Sequence, residues 1–554
     1  MNKRTPEEIL TLSDLLINAA QVRPDADAVV FPDSRQTYAE LLATAREWAK
    51  AFMALGVQPK DNVGLLMTTQ PEFVAAMFGA SLAGAAAVPI NARYAPAELA
   101  YLIENADICC LVTTDKVADA VDFVGRLNQA FPDIVSNKDT RRLKLAGAAK
   151  LRSIIVTGQG DAPGFLPASQ IADLASTVDD ADLEPRIEEV DPSDLGLILY
   201  TSGTTSNPKG CMIPHSAIVS NSRALGRYRY KMTEEDRFWS PLPIFHIAGI
   251  LPMVAVFDVG GAYLTIPHFD AGMALRMLEA ERATMTYPSF VTIMQDLINH
   301  PDFPETDLSR IRLMNSNLGV QPAAIKSAIL KAMPQTIQVG TYGLTEASGT
   351  VCTSRLTDDE ETRTSRLGVP LRGWELKILN IETGEPCGVD EKGDICIRGP
   401  GMLVGYYKDP DKTSESIDED GWLHTGDLGS LDANGQIMFH GRTKDMLKVG
   451  GENVAAAEIE AVLNTHPAVE LAQIVGAPDA RYEEVPAAFV KLKPASIAEE
   501  RELIDHCAGK LARFKIPRYV RFVDEWPMST SKIQKYKLKD QIVAELAAAS
   551  SDVA

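Results

Sequence analysis

Apolar and polar positions follow two different spacings along the first part of the chain. Short apolar runs, such as residues 28–31, 62–67 and 153–157, predict buried strands. Longer segments between them, such as 38–56, carry apolar residues at helical spacing and end at a glycine. This alternation of strands and helices is typical of a parallel sheet covered by helices.

The same alternation returns over residues 236–345 and then gives way to paired short strands after about residue 370. The pair Asn434-Gly435 indicates a tight hairpin. We predict an α/β fold with a large N-terminal domain over residues 1–443 and a small α+β C-terminal domain over 444–554. The strand-rich part, at about 370–443, is predicted to be a small β-barrel-like region.

Three stretches interrupt this regular pattern. Residues 125–150 are basic toward their end and predict a surface excursion, although a patch for RNA or a membrane surface would have the same composition. The acidic run over residues 179–191 predicts a solvated linker. Residues 73–90 are almost entirely apolar but rich in Ala and Gly, so we interpret them as a buried helix and a buried strand, and not as a membrane span.

Composition and charge limit the function. A chain of 554 residues exceeds the size of a single hydrophobic core, and 45% hydrophobic with 23% charged residues is typical of a soluble globular protein. A formal net charge of -21 argues against nucleic acid as a partner, because neutralising phosphates requires clustered Lys and Arg. Seven scattered cysteines without a C-x-x-C pair, and no apolar leader, predict a reduced cytoplasmic protein.

Residues suited to a polyphosphate follow the apolar run 194–200. Residues 199–210 are Leu-Tyr-Thr-Ser-Gly-Thr-Thr-Ser-Asn-Pro-Lys-Gly, which supply hydroxyls, backbone N–H groups and one cation. Pro208 before Lys209 and Gly210 after it exclude a Walker loop. The plain alternative is a hydroxyl-rich turn between two strands.

Two further motifs lie where predicted strands end. His246 follows Pro-Leu-Pro-Ile-Phe and precedes Ile-Ala-Gly, and a lone histidine at such a place is usually structural. Residues 342–346, Tyr-Gly-Leu-Thr-Glu, supply an aromatic face for a base, a glycine, a hydroxyl and a carboxylate suited to Mg²⁺. Ligands bind at the carboxyl ends of strands in open α/β sheets, which favours a nucleotide site here.

Three later motifs carry charge in polar turns. Residues 421–427, Gly-Trp-Leu-His-Thr-Gly-Asp, present a carboxylate suited to ribose hydroxyls, or form a surface turn. Residues 441–453 combine Arg442, Lys444 and a glycine pair, which indicates a hinge beside an anion site or an exposed linker. Residues 529–533, Ser-Thr-Ser-Lys-Ile, place a lysine in a polar loop. Singly, most of these motifs favour the plain alternative; together, in this order, they favour a nucleotide site.

The ordered series of motifs resembles the adenylate-forming (AMP-binding) superfamily, in its acyl-CoA synthetase branch, over roughly residues 10–540. The resemblance implies that ATP and a carboxylate give an acyl-adenylate and pyrophosphate, after which a thiol displaces AMP. It implies Mg²⁺ held by Thr201 and Glu346, and catalysis by Lys532, Glu346 and His246. Lys532 would offset the negative charge that develops as the carboxylate attacks phosphorus.

The resemblance also assigns contacts to ATP. It implies that the phosphates, adenine and ribose are bound by Thr201, Ser202, Gly203, Thr204, Thr205, Lys209, Gly319, Tyr342, Gly343, Leu344, Thr345, Asp427, Arg442 and Lys532. In that family the C-terminal domain rotates between the two half-reactions, with Lys444 at the hinge. The CoA contacts would be Gly450, Gly451, Glu452 and Lys515, the last within the basic segment 511–517.

Two positions depart from the family pattern. Ser531 stands before Lys532 where the family usually has glycine, which lowers backbone freedom. Residues 315–319, Asn-Ser-Asn-Leu-Gly, replace the usual small-residue turn and suggest an unusual acyl pocket. Family placement makes the pocket walls His246, Ile247, Ile250, Phe290, Asn315, Asn317, Gly340 and Ser348.

These walls are largely apolar and include no lysine or arginine that could pair with a second carboxylate. We therefore expect a hydrophobic monocarboxylic acid, aliphatic before aromatic, as substrate of an acyl-CoA ligase using ATP, Mg²⁺ and CoA. Two alternatives stay open: an adenylating enzyme that loads a separate carrier protein, and a non-catalytic ATP-binding sensor. We expect no nucleic acid partner and no integral membrane segment; a homodimer is compatible with the sequence but not indicated by it.

Overall fold

The computed structural model describes residues 5–158, 160, 162–201, 208–288, 290–321, 323–449, 452–479, 482–508, 510–529 and 532–551. Elements of the first part are helices α1 (Leu12–Val22), α2 (Tyr38–Ala54), α3 (Pro71–Leu82), α4 (Pro96–Asn105), α5 (Phe123–Ala130), α6 (Ile171–Ala175) and α7 (Asp180–Glu188), with strands β1 (Asp27–Phe31), β2 (Ser34–Thr37), β3 (Asn62–Leu66), β4 (Ala86–Pro89), β5 (Ile108–Thr114), β6 (Ser153–Thr157) and β7 (Leu166–Pro167).

The middle part continues the alternation. Its elements are strands β8 (Leu195–Thr201), β9 (Lys209–Pro214), β10 (Arg237–Ser240), β11 (Ala262–Thr265), β12 (Met285–Thr286), β13 (Leu313–Asn315) and β14 (Ile337–Val339), with helices α8 (His215–Arg223), α9 (Ile247–Val259), α10 (Ala271–Ala280), α11 (Val291–Asn299) and α12 (Ala323–Ala332).

Short strands dominate the next part. They are β15 (Thr341–Leu344), β16 (Gly349–Thr353), β17 (Val369–Pro370), β18 (Glu375–Leu379), β19 (Gly393–Arg398), β20 (Gly405–Tyr406), β21 (Leu423–Leu431) and β22 (Ile437–Arg442), with helices α13 (Glu360–Ser365) and α14 (Pro410–Ser416). The C-terminal part has strands β23 (Met446–Val449), β24 (Glu452–Ala455), β25 (Val469–Asp479), β26 (Glu483–Leu492), β27 (Tyr519–Phe522), β28 (Met528–Ser529) and β29 (Lys532–Ile533), with helices α15 (Ala456–Leu463), α16 (Glu500–Cys507) and α17 (Lys535–Ser551).

Two large sheets build the N-terminal domain. One has eight strands in the order β20-β9-β8-β4-β3-β5-β6-β7, and the other has seven in the order β14-β13-β12-β10-β11-β1-β2. Most neighbours are parallel; β20, β9 and β2 pair antiparallel. One apolar core joins strands of both sheets to α1, α2, α3 and α9, and a second core lies between the seven-stranded sheet and α10 to α12. The predicted parallel α/β architecture is confirmed.

The C-terminal domain is smaller and has its own core. Its five-stranded sheet runs β24-β23-β26-β25, with β27 parallel to β26, and α15 and α16 pack on it. The fold of a large N-terminal and a small C-terminal domain is therefore confirmed. The strand-rich region forms an open four-stranded antiparallel sheet, β18-β19-β21-β22, and the strands described there do not close into a barrel.

The acidic run predicted as a solvated linker instead contains helix α7. Leu183 is fully buried, and the carboxylates of Asp180 and Glu184 pair with Arg46 of α2 at 3.0 and 2.5 Å. Acidic residues in the first turn also favour a helix N-terminus. Ion pairs with α2 thus order a segment that its local composition predicted to be a linker.

The remaining element predictions hold with small shifts. Residues 73–90 are buried in α3 and β4, as expected, and the Asn434-Gly435 turn joins β21 to β22. Within the described ranges, no helix has the length and apolar character needed to cross a membrane.

Candidate active site

The predicted phosphate loop connects the antiparallel strands β8 and β9. Thr201 at the end of β8 pairs with Lys209 at the start of β9, so the two residues lie side by side where the hairpin meets its connecting loop. The intervening residues of the prediction, Ser202, Gly203, Thr204 and Thr205, lie outside the described residues. The structure therefore defines both ends of the loop.

Glu346 lies next to this hairpin end. It follows β15, and its backbone carbonyl accepts a hydrogen bond of 2.8 Å from Leu403 N–H. Its carboxylate Oε1 accepts a 3.2 Å hydrogen bond from the hydroxyl of Tyr406. Tyr406 belongs to β20, which pairs with β9, and the Lys209 ammonium lies 5.8 Å from the centre of its ring. Thr201, Lys209 and Glu346, which the sequence singled out separately, thus converge.

Tyr406 and Cys211 are site residues that the sequence analysis missed. Burial, and next the Glu346 carboxylate, raise the pKa of both groups, so both are protonated at neutral pH. Burial lowers the pKa of Lys209, and the nearby ammonium of Lys412 lowers it further. The only sequence signal for Tyr406 is an aromatic residue after Gly405 in a region of short strands.

Tyr342, Asp427 and Arg442 form a second group. The Tyr342 hydroxyl donates to Asp427 Oδ2 at 3.0 Å, and Arg442 Nε lies 3.1 Å from Asp427 Oδ1. Asp427 and Arg442 are cross-strand partners on β21 and β22, which explains why residues fifteen positions apart meet. Burial, and next the Asp427 carboxylate, raise the pKa of Tyr342. An aromatic ring and a carboxylate thus lie together as the predicted adenosine site requires.

A buried amide holds the turn that follows Glu346. Asn221 of α8 donates through Nδ2 to the backbone carbonyls of Ala347, Ser348 and Thr350 at 3.2, 3.1 and 3.0 Å. Its Oδ1 accepts a 2.9 Å hydrogen bond from Trp374 Nε1. Ser348 has the left-handed φ of 51°, which needs such support. Asn221 was not among the predicted residues.

Three of the predicted acyl pocket residues lie at the start of α9. His246 is the residue before α9, its ring lies 4.9 Å from that of Phe245, and Ile247 and Ile250 are buried. A Cβ at Gly349 would lie 3.4 Å from Ile247, so β16 packs directly on this helix. Phe290 is half-buried at the start of α11. This side of the site is apolar.

The unusual turn at 315–319 is polar but internally bonded. Asn315 Nδ2 donates to the hydroxyls of Thr341 and Tyr230 at 2.7 and 3.2 Å. Asn317, with φ of 50°, accepts a 2.5 Å hydrogen bond from Thr341 N–H. The asparagines therefore brace β15 against β13, which gives the departure from the family pattern a structural role. The hydroxyl of Ser316 is buried and has no hydrogen-bond partner among the described residues.

Close backbone approach explains the predicted glycines. A Cβ at Gly343 would lie 2.1 Å from the Gly349 carbonyl oxygen across the β15–β16 pair, and one at Gly340 would lie 2.2 Å from the Arg366 carbonyl oxygen. Gly319 is less constrained, with 3.1 Å to the carbonyl carbon of Ser365. Leu344 ends β15 and Thr345 starts the short turn that carries Glu346.

The C-terminal candidates are only partly described. The backbone of Lys532 pairs with Ser529 in the β28–β29 hairpin, and Lys444 lies in a 3₁₀ turn over Thr443–Asp445. Glu452 pairs with Val449 through its backbone. Gly450 and Gly451 lie outside the described residues. The roles of these residues stay predictions.

Lys515 is the best-defined C-terminal candidate. Its ammonium contacts both carboxylate oxygens of Glu458 at 2.8 Å. The pair lines a cleft of about 360 Å³ between the strand-rich sheet and the C-terminal domain, which also includes Lys392 and His440. An adjoining cleft of about 140 Å³ is lined by Arg442 and Lys535, among others.

Comparison with known families covers most of the chain. The model of the AMP-binding enzyme family matches residues 16–407, and that of the AMP-binding enzyme C-terminal domain matches residues 458–532. A Bacillus subtilis protein named as an acyl-CoA synthetase, YngI, is 36% identical over 96% of this chain and 97% of its own length. The mitochondrial medium-chain acyl-CoA ligase ACSF2 of Rattus norvegicus is 32% identical over 97% of this chain and 88% of its own length.

A solved structure extends the comparison to three dimensions. The crystal structure of the anthranilate CoA ligase AuaEII in complex with anthranoyl-AMP aligns with a TM-score of 0.83. It shares 28% identity and covers 99% of this chain and 100% of its own.

Proposed function

The chain belongs to the AMP-binding enzyme family and is an AMP-forming acid–CoA ligase, and from that premise we propose that its acid is a hydrophobic monocarboxylate. In the first half-reaction a carboxylate oxygen attacks the α-phosphorus of ATP, forming the acyl-adenylate and releasing pyrophosphate. In the second, the CoA thiol attacks the acyl carbon, loses its proton, and displaces AMP as the thioester forms.

The convergence of Thr201, Lys209 and Glu346 supports the ATP-dependent first half-reaction. It joins a cation and a hydroxyl at the ends of a loop rich in Ser and Thr to a carboxylate from a different part of the chain. Lys209 can neutralise phosphate charge beside the loop. The hydroxyl of Tyr406, held protonated, orients the Glu346 carboxylate.

The donor set fits magnesium. Mg²⁺ prefers oxygen ligands and is commonly bound by one carboxylate together with substrate phosphates, and here Glu346 and Thr201 would hold it. When bound, it supplies charge neutralisation on the phosphate oxygens. Asp427 would accept the ribose hydroxyls, with Tyr342 fixing its orientation through the 3.0 Å hydrogen bond.

The nature of the acid is inferred from the pocket walls. Ile247 and Ile250 are buried, and Ile247 lies next to Gly349. Asn315 Nδ2 and Asn317 Oδ1 are both hydrogen-bonded to Thr341. None of the predicted wall residues is cationic, so a second carboxylate would be left without a partner. We propose an aliphatic acid before an aromatic one, in agreement with the name of the ACSF2 relative and in contrast with that of AuaEII.

We further propose domain alternation about Lys444. Lys532 would lie at the α-phosphate during adenylation. In the second state, Gly450, Gly451 and Glu452 would approach the active site, and Lys515 would contact the phosphates of CoA. These roles are supported by the resemblance and by the cleft between the two domains.

Pyrophosphate exchange with a panel of acids tests the proposal. The purified enzyme, ATP and Mg²⁺ would be assayed with linear acids of medium length, with benzoate and anthranilate, and with a dicarboxylate of matched length. We expect exchange with linear monocarboxylates at least tenfold faster than with the dicarboxylate. Preference for the dicarboxylate would overturn the substrate assignment.

Two outcomes favour the alternative functions. ATP binding without exchange for any acid would favour a non-catalytic sensor. Exchange without thioester when CoA is added would favour loading of a separate carrier protein. Thioester formation with CoA supports the ligase.

A further inference from the structure

A cluster of sulfur, nitrogen and oxygen ligands lies on the strand-rich sheet, outside the site described above. Asp394 and Cys396 are two positions apart on β19, where the pairing with β21 has an irregularity, and contact between their side chains shows that they share a face of the sheet. His424 on β21 is the direct cross-strand partner of Cys396. The register of the two strands therefore brings three different metal-ligating side chains together.

The distances within the cluster suit one tetrahedral ion. The separations are 3.4 Å from Cys396 Sγ to His424 Nδ1, 3.4 Å from Cys396 Sγ to Asp394 Oδ2, and 3.0 Å from His424 Nδ1 to Asp394 Oδ2. Tetrahedral zinc has bonds of about 2.3 Å to sulfur and about 2.0–2.2 Å to nitrogen and oxygen, which separates such ligand atoms by about 3.3–3.6 Å. Shifts of a few tenths of an ångström would complete the geometry.

The surroundings orient each ligand. Asp394 Oδ1 accepts a 3.2 Å hydrogen bond from Gly426 N–H, which leaves Oδ2 directed at the cluster. His424 Nε2 lies 3.5 Å from Asp418 Oδ2, and Asp418 is itself held by the Trp422 N–H at 2.8 Å. A carboxylate on the far nitrogen is the usual outer partner of a metal-binding histidine.

Access and charge are also suitable. Cys396 is fully buried, whereas 38% of the His424 side chain is exposed, so an ion can enter from the histidine side. One thiolate and one carboxylate balance a divalent charge. We propose that Asp394, Cys396 and His424 bind one Zn²⁺, with water as the fourth ligand and Asp418 as the orienting carboxylate. Binding exchanges the thiol proton for the Zn–S bond and releases that proton to solvent.

This site would fasten β19 to β21 just before the turn that leads to Asp427. The proposal does not depend on the ligase reaction, because the metal readout needs neither ATP nor acid. The thiolate of Cys396 is a soft ligand that favours Zn²⁺ over Mg²⁺, so this site differs in metal preference from the oxygen ligands proposed for Mg²⁺.

Cobalt substitution tests the site in the full-length protein. After chelator treatment, Co²⁺ titration is expected to give a sulfur-to-cobalt charge-transfer band that saturates at one ion per chain and is displaced by Zn²⁺. Cys396→Ser should abolish the band, and Cys387→Ser, which changes another thiol of the same region, should leave it unchanged. Asp418→Asn should lower the Zn²⁺ affinity about tenfold.

Thermal unfolding gives an independent readout. Zn²⁺ should raise the unfolding midpoint of the parent protein and of Cys387→Ser, but not of His424→Gln, since a ligand that binds only the folded state stabilises it. The proposal is overturned if no charge-transfer band forms, or if the band survives in Cys396→Ser. Loss of the band in Cys387→Ser would equally assign the metal to another thiol and overturn it.

Discussion

At the scale of single residues, His215 shows how burial sets a charge. It is the first residue of α8, only 1% exposed, and its Nδ1 accepts a 3.4 Å hydrogen bond from Leu12 N–H. Burial lowers the pKa of His215 to about 4, while Asp194 acts weakly in the opposite direction. The imidazole is therefore neutral in the folded protein at neutral pH.

The lowered pKa of His215 predicts that the folded protein loses stability in acid. Between its unfolded pKa of about 6.5 and the folded value of about 4, the unfolded chain binds the proton and the folded chain does not. Stability from this residue is thus present above about pH 6.5 and lost as the pH falls, by roughly 3 kcal/mol in all. His215→Gln keeps an acceptor for Leu12 and should flatten the fall of the melting temperature between pH 7 and 4. An unchanged pH profile would contradict the prediction.

The sequence could predict candidate residues for binding and catalysis, but not all of the residues that would orient them. Thr201, Lys209 and Glu346 stand in recognisable local motifs, and the structure brings them together. Tyr406 has no such motif: it reaches Glu346 only because β20 adds to the edge of the sheet beside β9. A contact made by pairing of distant strands leaves no local spacing in the sequence.

At the scale of elements, α8 links the β8–β9 hairpin to the turn that carries Glu346. The link is the single amide of Asn221, which makes four hydrogen bonds within the protein. A buried polar group that loses its partner costs about 1–3 kcal/mol. The turn therefore has little freedom to move away from the hairpin while Asn221 is present.

Replacement of Asn221 should weaken the binding of Mg²⁺ at the active site. Asn221→Leu should lower the rate of pyrophosphate exchange about tenfold or more and raise the Mg²⁺ concentration needed for half-maximal rate, because Glu346 loses its support. Ser220→Ala on the same helix is the matched control and should keep both values. A lower melting temperature with unchanged Mg²⁺ dependence would show that Asn221 acts on stability alone.

Helices and strands could be predicted where burial gives the apolar residues a regular spacing. They could not be predicted where ion pairs with distant residues order the segment. Strands β1, β3 and β6 appear where apolar runs predict them. Helix α7 lacks that pattern and contains Pro185; it is ordered by Leu183 and by ion pairs with α2. The structural role of Asn315 and Asn317 is likewise visible only in their hydrogen bonds to β15.

At the scale of the whole molecule, two lysines of the C-terminal domain separate the proposed half-reactions. Lys532 is predicted to act on the α-phosphate, and Lys515 on CoA. The bidentate contact of Lys515 with Glu458 beside the interdomain cleft indicates that CoA phosphates would compete with this carboxylate for the ammonium. One domain would then serve two chemical steps through different residues.

Substitution of the two lysines should therefore impair different half-reactions. Lys532→Ala should abolish pyrophosphate exchange but keep thioester formation from supplied acyl-adenylate, because Lys532 would have left the α-phosphate in the second state of the C-terminal domain. Lys515→Ala should leave exchange unchanged and raise the KM for CoA about tenfold, as expected when a charge-assisted hydrogen bond is lost. Rate measurements of each half-reaction, with Lys493→Ala on the same domain as control, check both. Equal loss of both half-reactions in Lys532→Ala would contradict domain alternation, because a domain that turns between steps cannot need the same lysine in each.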